Sequence, residues 1–342
     1  MGHADRADHA EQPDARAASR AIVRSWRELT GGSSVDDADR PTLLAVSGGA
    51  DSSALALALG RTRGVRSIGH VVHDMRPRQD AEADRRLVEA LGRVLDLPVR
   101  VAYADAGNSE AAARTARYGA LARLARNAEC RYVAVAHQAD DVLETMLANL
   151  IRGAGPRGLR GPAPRRAIGD GVTLVRPMLG VGRAEAEAIC RHACWTWAYD
   201  ATNDDPTRLR AALRAEVTPV LERLRPGASR RAARAARAIR EAARVVRDAV
   251  NEAWPRVAMR TPSGLELAQP PMVDLPPAVR EGLLRRAIDE VAGRGHDRLS
   301  AATARSLSAW LVDGRGVRTV AGLRLEHRGG TIAITPAPRE DA

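Results

Sequence analysis

The segment from Ser47 to Ser53, with the sequence SGGADSS, places two glycines, a carboxylate and hydroxyl groups directly after a short apolar stretch. Glycines let a chain turn sharply, so that backbone N–H groups approach an anion, and a helix that begins there adds its own N–H groups. The nucleoside-triphosphate loop pattern G-x-x-x-x-G-K-[ST] is not present, and the loop carries Asp51 where that pattern has lysine. Since a carboxylate beside a phosphate needs a divalent cation between them, the segment predicts a phosphate-binding turn that uses Mg²⁺ held by Asp51.

A second group of polar residues follows a later apolar segment. It contains His137, Asp140, Asp141 and Glu144, and the spacing puts Asp140 and Glu144 on one face of a helix. His137 is a candidate general base or phosphate contact, with a hydrogen-bonded structural role as the alternative. Acidic residues at a helix start also compensate the helix dipole, so that role stays open for the carboxylates.

Alternating strands and helices are needed to bring these residues together. Apolar runs at 42–46, 66–73, 99–104 and 131–137 predict four strands, and a helical segment follows each of them. This alternation indicates a doubly wound α/β fold with a mostly parallel sheet, in which ligands bind beyond the carboxyl ends of the strands. The polar residues described above lie at those ends.

Three regions are expected along the chain. Residues 1–40 form a tail and a short helix, residues 41–225 form the α/β domain, and residues 226–342 form a smaller, mainly helical domain with a terminal hairpin that turns at Gly329-Gly330. Residues 152–171, rich in Gly, Pro and Arg, are expected to be a mobile basic loop. A helix over 229–254 carries an arginine stripe opposite an apolar face that consists of Ala232, Ala235, Ile239, Ala242, Val246 and Val250.

The composition is basic and contains no lysine. The 342 residues carry a formal net charge of +11, which suits a polyanionic partner, and all 53 basic residues are arginine. No apolar run has membrane-spanning length, so we expect a cytoplasmic protein with no membrane contact. Three cysteines do not indicate a disulfide scaffold, and Cys190 and Cys194, expected on one helix face, lack the C-x-x-C spacing of zinc sites.

Five motifs in order resemble the tRNA(Ile)-lysidine synthetase family. The SGGADS loop resembles the PP-loop of N-type ATP pyrophosphatases, and HVVHDMRP, SEAAARTARYGAL and AVAHQADDVLETMLANLIRGAGPRGLRG resemble motifs of the lysidine synthetases, as do RPML and DATN further on. The resemblance covers about residues 41–225.

The resemblance implies a ligase that adenylates the wobble cytidine of a CAU-anticodon isoleucine tRNA with ATP and Mg²⁺ and then joins free L-lysine to it. Oligomeric state is left open, with a homodimer as one option. ATP is expected to contact Ser47, Gly48, Gly49, Ala50, Asp51, Ser52, His73 and Arg76. The residues expected to be catalytic are Asp51, His137, Asp140, Asp141 and Arg117. Glu144 and Asp140 are expected to bind lysine, and Asp51 to bind the metal. The residues expected to contact tRNA are Arg152, Arg157, Arg160, Arg210, Arg214 and Arg237.

Three alternatives remain at this stage. A tRNA 2-thiolation enzyme of the same superfamily would carry a C-x-x-C pair, which the sequence lacks. An ammonia-using synthetase would have little need for a basic surface. A non-catalytic RNA-binding protein would not need the loop aspartate or the Asp140-Asp141 pair, and ATP turnover would distinguish it.

Overall fold

The computed structural model describes residues 13–73, 78–104, 109–198, 209–293 and 299–338. The chain divides into two compact units, of which the first comprises residues 1–148 with 161–235 and the second residues 149–160 with 236–342. The predicted tail lies mostly outside the described residues, since residues 1–12 are not among them. Within the described residues, no helix is both long and apolar enough to cross a bilayer.

The first unit alternates strands and helices, as the sequence predicts. Its strands are β1 (Thr42–Ala45), β2 (Val65–His73), β3 (Val99–Ala104), β4 (Tyr132–Ala134), β5 (Arg165–Gly169) and β6 (Val172–Val175). Its helices are α1 (Ala15–Leu29), α2 (Ala50–Leu59), α3 (Arg78–Leu95), α4 (Glu110–Asn127), α5 (Ala139–Ile151, which continues into the second unit), α6 (Arg183–His192), α7 (Leu209–Ala212) and α8 (Thr218–Leu224).

The six strands form one sheet in the order β3-β2-β1-β4-β6-β5. All neighbouring pairs are parallel except β5–β6, which is antiparallel. The carboxyl ends of β1 and β4 therefore lie side by side, which brings the residues after each strand to the same edge. The predicted fold class, a doubly wound and mostly parallel α/β sheet, is confirmed.

Consecutive residues of β1 serve two cores, one on each face of the sheet. Leu44 packs with α1, α2, α3 and α6, whereas Leu43 packs with Tyr118 and the other apolar residues of α4. Both leucines are fully buried. A strand covered on both faces is continuously apolar, which explains why the sequence of β1 has no polar alternation.

The prediction of an aperiodic loop over 152–171 is wrong in its second half. Residues Arg165–Gly169 form β5, which turns through Asp170 and pairs with β6. Asp170 has a left-handed backbone conformation and its carboxylate forms an ion pair with Arg126 of α4. Because β5 is an exposed edge strand, it needs no apolar pattern to pair.

The second unit contains helices packed against an antiparallel sheet. Its helices are the larger part of α9 (Ala228–Val257), followed by α10 (Pro270–Val273), α11 (Pro277–Ala292) and α12 (Ala301–Asp313). Its strands are β7 (Ala258–Thr261), β8 (Gly264–Ala268), β9 (Val317–Val320), β10 (Leu323–Arg328) and β11 (Thr331–Pro336). The sheet order is β7-β8-β11-β10-β9, so the predicted hairpin exists and is joined by the β7–β8 hairpin, which the sequence did not predict.

Two details of helix placement differ from expectation. In α9, Ala235 and Ala242 are exposed, whereas Ala233 and Ala236 are buried, so the buried face is rotated relative to the predicted one. Arg240 is half-buried and donates to the carbonyl of Arg160, so it does not belong to a solvated stripe. Cys194 lies beyond the end of α6 and does not share a helix face with Cys190.

Candidate active site

The turn between β1 and α2 has the conformation that its glycines permit. Gly48 has a φ of +102°, which L side chains rarely adopt, and Gly49 is the N-cap of α2. The Gly48 carbonyl accepts from the Ala198 N–H at 3.0 Å, which ties the turn to the segment after α6. The first turn of α2 presents N–H groups that no helical carbonyl accepts, so the turn offers an anion-binding surface.

The serine hydroxyls hold this turn in shape. Ser52 Oγ accepts from the Ser47 N–H at 3.2 Å and donates to the Gly49 carbonyl at 3.0 Å. Ser53 is buried, with its Oγ 3.5 Å from the Gly48 carbonyl. The hydroxyls of Ser52 and Ser53 thus stabilise the loop itself, and the backbone N–H groups remain the principal donors for a ligand.

Asp51, in the first turn of α2, is a buried carboxylate with an unsatisfied oxygen. Its Oδ2 accepts from Gln138 Nε2 at 3.2 Å, whereas Oδ1 is buried and has no hydrogen-bond partner among the described residues. Burial is the main cause that raises the pKa of Asp51 to about 7, and the nearby negative charge of Asp141 contributes to the same rise. A cation bound at the free oxygen would therefore stabilise the charged form of Asp51.

These oxygen donors fit Mg²⁺, which prefers one or two carboxylates together with phosphate oxygens. Asp51 would hold the ion through Oδ1, and Asp141, whose negative charge raises the pKa of Asp51, could share it. Asp141 also accepts from the Gln138 N–H at 2.8 Å, which caps the start of α5, and the Gln138 side chain connects this helix start to Asp51. No cluster of three or more metal-binding side chains occurs among the described residues, so phosphate would have to complete the coordination.

Glu144, one turn further along α5, is paired with an arginine. It is 1% exposed, and Arg214 binds it through two parallel bonds, Nε to Oε1 at 2.7 Å and Nη2 to Oε2 at 2.9 Å. The same Nη2 lies 3.5 Å from Asp141 Oδ1. Arg214 belongs to a π-helical turn over Leu213–Val217, a distortion that often occurs at functional sites.

His137 follows β4 and is surrounded by positive charge. Arg176 Nε donates to His137 Nδ1 at 3.1 Å, and Arg114 Nη2 lies 3.4 Å from His137 Nε2. Burial and these two guanidinium groups lower the pKa of His137 well below its ordinary value. The imidazole is therefore neutral at pH 7, and it is a weak base, which favours phosphate contact over proton abstraction.

Comparisons with known proteins agree with this geometry. The PP-loop domain family matches residues 21–221. A tRNA(Ile)-lysidine synthase of Salinispora arenicola is 36% identical over 342 residues, which cover 95% of this chain and 98% of that protein. The chain belongs to this family.

A tRNA(Ile)-lysidine synthase of Thermus thermophilus is 34% identical over 306 residues and 86% of this chain, but the match spans only 57% of that protein. Among solved structures, the U34-tRNA thiolase NcsA of Methanococcus maripaludis, which holds a [4Fe-4S] cluster, superposes with a TM-score of 0.51. It is 14% identical, over 66% of this chain and 80% of the thiolase, so the likeness concerns the fold alone.

The PP-loop and the start of α5 bring several of the predicted site residues together. The structure clusters Asp51, Asp141 and Glu144 with Arg214, which the sequence analysis assigned to tRNA. Burial raises the pKa of Asp140, on the same first turn of α5. Arg76 and the side chain of His73 lie outside the described residues.

The other predicted arginines lie elsewhere or at the margin of this PP-loop site. Arg117 stands beside Tyr118, with its guanidinium carbon 5.7 Å from the ring centre, and Arg210 is exposed near His137. The arginines assigned to the second unit are Arg152, Arg157, Arg160 and Arg237. Arg152 and Arg157 are exposed there, and Arg237 pairs with Glu241 at 3.0 Å.

Sequence reasoning missed three residues that contact the site of this lysidine synthase family member. Gln138 holds Asp51, Arg176 holds His137, and Arg114 faces the other nitrogen of that ring. Gln138 and Arg176 each lie within a few residues of the carboxyl end of a parallel strand, so the rule that identified His137 also applies to them.

Proposed function

We propose that this protein is a ligase that forms lysidine in an isoleucine tRNA with a CAU anticodon. The cytosine O2 attacks the α-phosphorus of ATP and pyrophosphate leaves. The ε-amine of free lysine then attacks C2, and the C2–O2 bond breaks to release AMP. Oxygen on the pyrimidine ring is a poor leaving group until it carries AMP, which explains why the reaction needs ATP.

The observation that carries the proposal is the state of Asp51 in the PP-loop. A buried carboxylate with an orphaned oxygen and a raised pKa, beside helix N–H groups, suits a site where Mg²⁺ and phosphate bind together. Mg²⁺ bound there would neutralise the charge that develops on the departing pyrophosphate. Asp51 and the loop N–H groups would bind and orient the phosphates of ATP.

Lysine binding is assigned to the carboxylates of α5. The substrate amine has an ordinary pKa of about 10.4, so it arrives protonated and must lose a proton before it attacks. Asp140, whose pKa is raised by burial, is suited to hold the ammonium group and accept that proton. Glu144 is already bound by Arg214, so its part in lysine binding would be to keep this arginine beside Asp141.

The cysteines support lysidine formation over thiolation. Cys130 and Cys190 are buried, and burial raises the pKa of the Cys130 thiol to about 11 and that of Cys190 to about 12. Both are therefore poor thiolate donors for a cluster or a persulfide. Cys194 is exposed, so the three cysteines do not form a matched pair of accessible thiols.

The two units divide the work in this proposal. The first unit holds ATP and lysine, and the second holds tRNA through arginines that include Arg152, Arg157 and Arg237, with the net charge of +11 in support. The Arg240 side chain donates to the Arg160 carbonyl and so stabilises the conformation of the basic segment after α5, which begins at Arg152. Arg210 remains assigned to tRNA.

Incorporation of radiolabelled lysine into an unmodified CAU-anticodon isoleucine tRNA tests the proposal, with ATP added or withheld. The test variant is Asp51→Asn, and the matched control is Asp96→Asn, an exposed aspartate with a φ of +55° that asparagine also tolerates. We expect ATP-dependent incorporation that Asp51→Asn abolishes and Asp96→Asn leaves unchanged. ATP turnover with another acceptor, or no turnover at all, would reject lysidine formation.

A further inference from the structure

Arg176, directly after β6, is a buried cation whose partners are all neutral. Its side chain is 3% exposed, and it donates to His137 Nδ1 at 3.1 Å, to the Tyr118 hydroxyl at 3.3 Å and to the Ala163 carbonyl. Among the described residues, no carboxylate forms an ion pair with it. A buried charge is costly unless an opposite charge is close, so an anion bound beside Arg176 would stabilise it.

The hydrogen bond from Arg176 also fixes the protonation of His137. A guanidinium group can only donate, so His137 Nδ1 must accept, and the neutral ring then carries its proton on Nε2. Arg114 Nη2, another group that can only donate, lies 3.4 Å from that same Nε2. Two donors therefore face each other, and an anionic oxygen that accepts from both would satisfy them.

More positive charge gathers around the neighbouring Tyr118. The guanidinium carbons of Arg114, Arg117 and Arg166 lie 5.0, 5.7 and 5.7 Å from its ring centre. The aromatic face offsets part of the repulsion among them. Together with Arg176, which donates to the Tyr118 hydroxyl, four guanidinium groups therefore lie around one tyrosine. A phosphate group, which carries more than one negative charge, would offset more of this positive charge than a carboxylate would.

We propose that Arg114 and His137 Nε2–H bind a phosphate group at a second site, separate from the Ser47–Ser53 turn, with Arg176 as the positioning residue. The phosphate comes either from the nucleotide or from an RNA backbone, since both present the same oxyanion. The site rests on the charges and donors around His137, and it does not depend on lysidine formation.

Nitrogen NMR of the histidine side chains tests the proposal on the unmodified protein, with a His137→Gln sample to assign the signals. We expect Nδ1 of His137 to be unprotonated and Nε2 to be protonated near pH 7. Inorganic pyrophosphate, added without Mg²⁺, should shift the Nε2 signal because this nitrogen donates to it. In Arg176→Met the fixed tautomer should be lost, a change that a purely structural role of Arg176 would not produce.

Binding measurements on Arg114→Gln provide the second test, with Arg123→Gln on the exposed face of α4 as the matched control. Loss of one charge-assisted hydrogen bond should weaken pyrophosphate binding about tenfold in Arg114→Gln. Arg123→Gln, which loses the same charge, should bind as the unmodified protein does. Parallel titrations of Arg114→Gln with Mg²⁺-ATP and with an anticodon stem-loop RNA identify which ligand supplies the phosphate group. Only the ligand whose phosphate binds at this site should bind Arg114→Gln about tenfold more weakly, as pyrophosphate does.

Three outcomes would overturn the proposal: a protonated Nδ1 in His137, no response of its Nε2 to pyrophosphate, or a loss in Arg114→Gln that affects only lysine binding. The last result would show a carboxylate site. Failure of lysine incorporation with intact pyrophosphate binding would remove only the proposed activity, so the two proposals fail separately.

Discussion

At the scale of single residues, burial of the Asp51 carboxylate, which the proposal assigns to cation binding, lowers the stability of the folded protein. Its pKa of about 7 lies above the value of about 3.9 in an unfolded chain. The folded protein therefore retains a proton that the unfolded chain releases between these two values, and stability falls as the pH rises through this range. The penalty is complete above about pH 7 and absent below about pH 4.

Asp51→Asn should therefore stabilise the metal-free protein. We expect its free energy of unfolding to exceed that of the unmodified protein by roughly 2–4 kcal/mol at pH 8, and the difference to vanish toward pH 4. Urea unfolding in the presence of a chelator, measured at several pH values, provides the comparison. Asp96→Asn should show no such pH-dependent gain, and an equal gain in both variants would contradict this account of Asp51.

The pair of Glu144 and Arg214 should be strongly coupled. Removal of the arginine leaves the buried Glu144 carboxylate without its partner, although partial exposure of Arg214 moderates the cost. We therefore expect Arg214→Met to lower the free energy of unfolding by roughly 1–3 kcal/mol. A double-mutant cycle with Glu144→Gln, measured by urea unfolding, gives the coupling energy. The exposed pair Arg237–Glu241 is the control, and its coupling should not exceed about 0.5 kcal/mol. Similar couplings in both pairs would show that burial of Glu144 has no effect.

At the scale of elements, the turn between β1 and α2 depends on one of its two glycines more than on the other. Gly48 has a φ of +102°, whereas Gly49 has a φ of −72°, and an added Cβ at either position would meet nothing closer than 3.7 Å. Gly48→Ala should thus lower the free energy of unfolding by about 1–3 kcal/mol through backbone strain, and Gly49→Ala, which only replaces a favourable N-cap residue, by about 0.5 kcal/mol. Thermal unfolding of the two variants tests this, and equal losses would assign the cost to side-chain crowding.

Elements that carry their own local signal could be predicted from the sequence. β1 has a continuous apolar run, Gly60 ends α2, and Ser109 caps α4 through a bond from the Ala112 N–H at 3.1 Å. The strands that escaped prediction, β5, β7 and β8, form because a neighbouring strand pairs with them. In α9 alanine occupies both faces, so periodicity alone could not decide that Ala236 is buried and Ala235 exposed.

In the candidate site, too, residues with a local sequence signal could be predicted, whereas residues that depend on contacts between distant parts of the chain could not. Asp51, Asp140, Asp141 and His137 could be found because glycines or strand ends mark their places in the chain. The partners of these residues could not, because contacts such as Arg176 with His137 or Arg214 with Glu144 join residues 39 and 70 positions apart. A single sequence carries no signal for such pairs. The contacts of Arg214 with two carboxylates emerge only from the fold.

At the scale of the whole molecule, a net charge of +11 makes non-specific attraction to RNA unavoidable, so contacts must be separated from overall charge. Arg152 and Arg157 are exposed, whereas Arg324 and Arg328 both pair with Glu326. The double variants Arg152→Gln/Arg157→Gln and Arg324→Gln/Arg328→Gln each remove two positive charges from the second unit. Only the first removes residues assigned to tRNA.

We expect the two double variants to differ in the salt dependence of tRNA binding. Each lost phosphate contact should reduce the slope of log K against log salt concentration by about 0.7–0.9. Arg152→Gln/Arg157→Gln should therefore reduce the slope by nearly the amount expected for two lost phosphate contacts, and it should weaken tRNA binding at low salt. Arg324→Gln/Arg328→Gln should leave the slope close to that of the unmodified protein. Filter-binding titrations over a range of salt concentrations measure both quantities. Equal slopes in the two variants would mean that net charge alone governs binding and that the basic segment after α5 makes no direct contact with the RNA backbone.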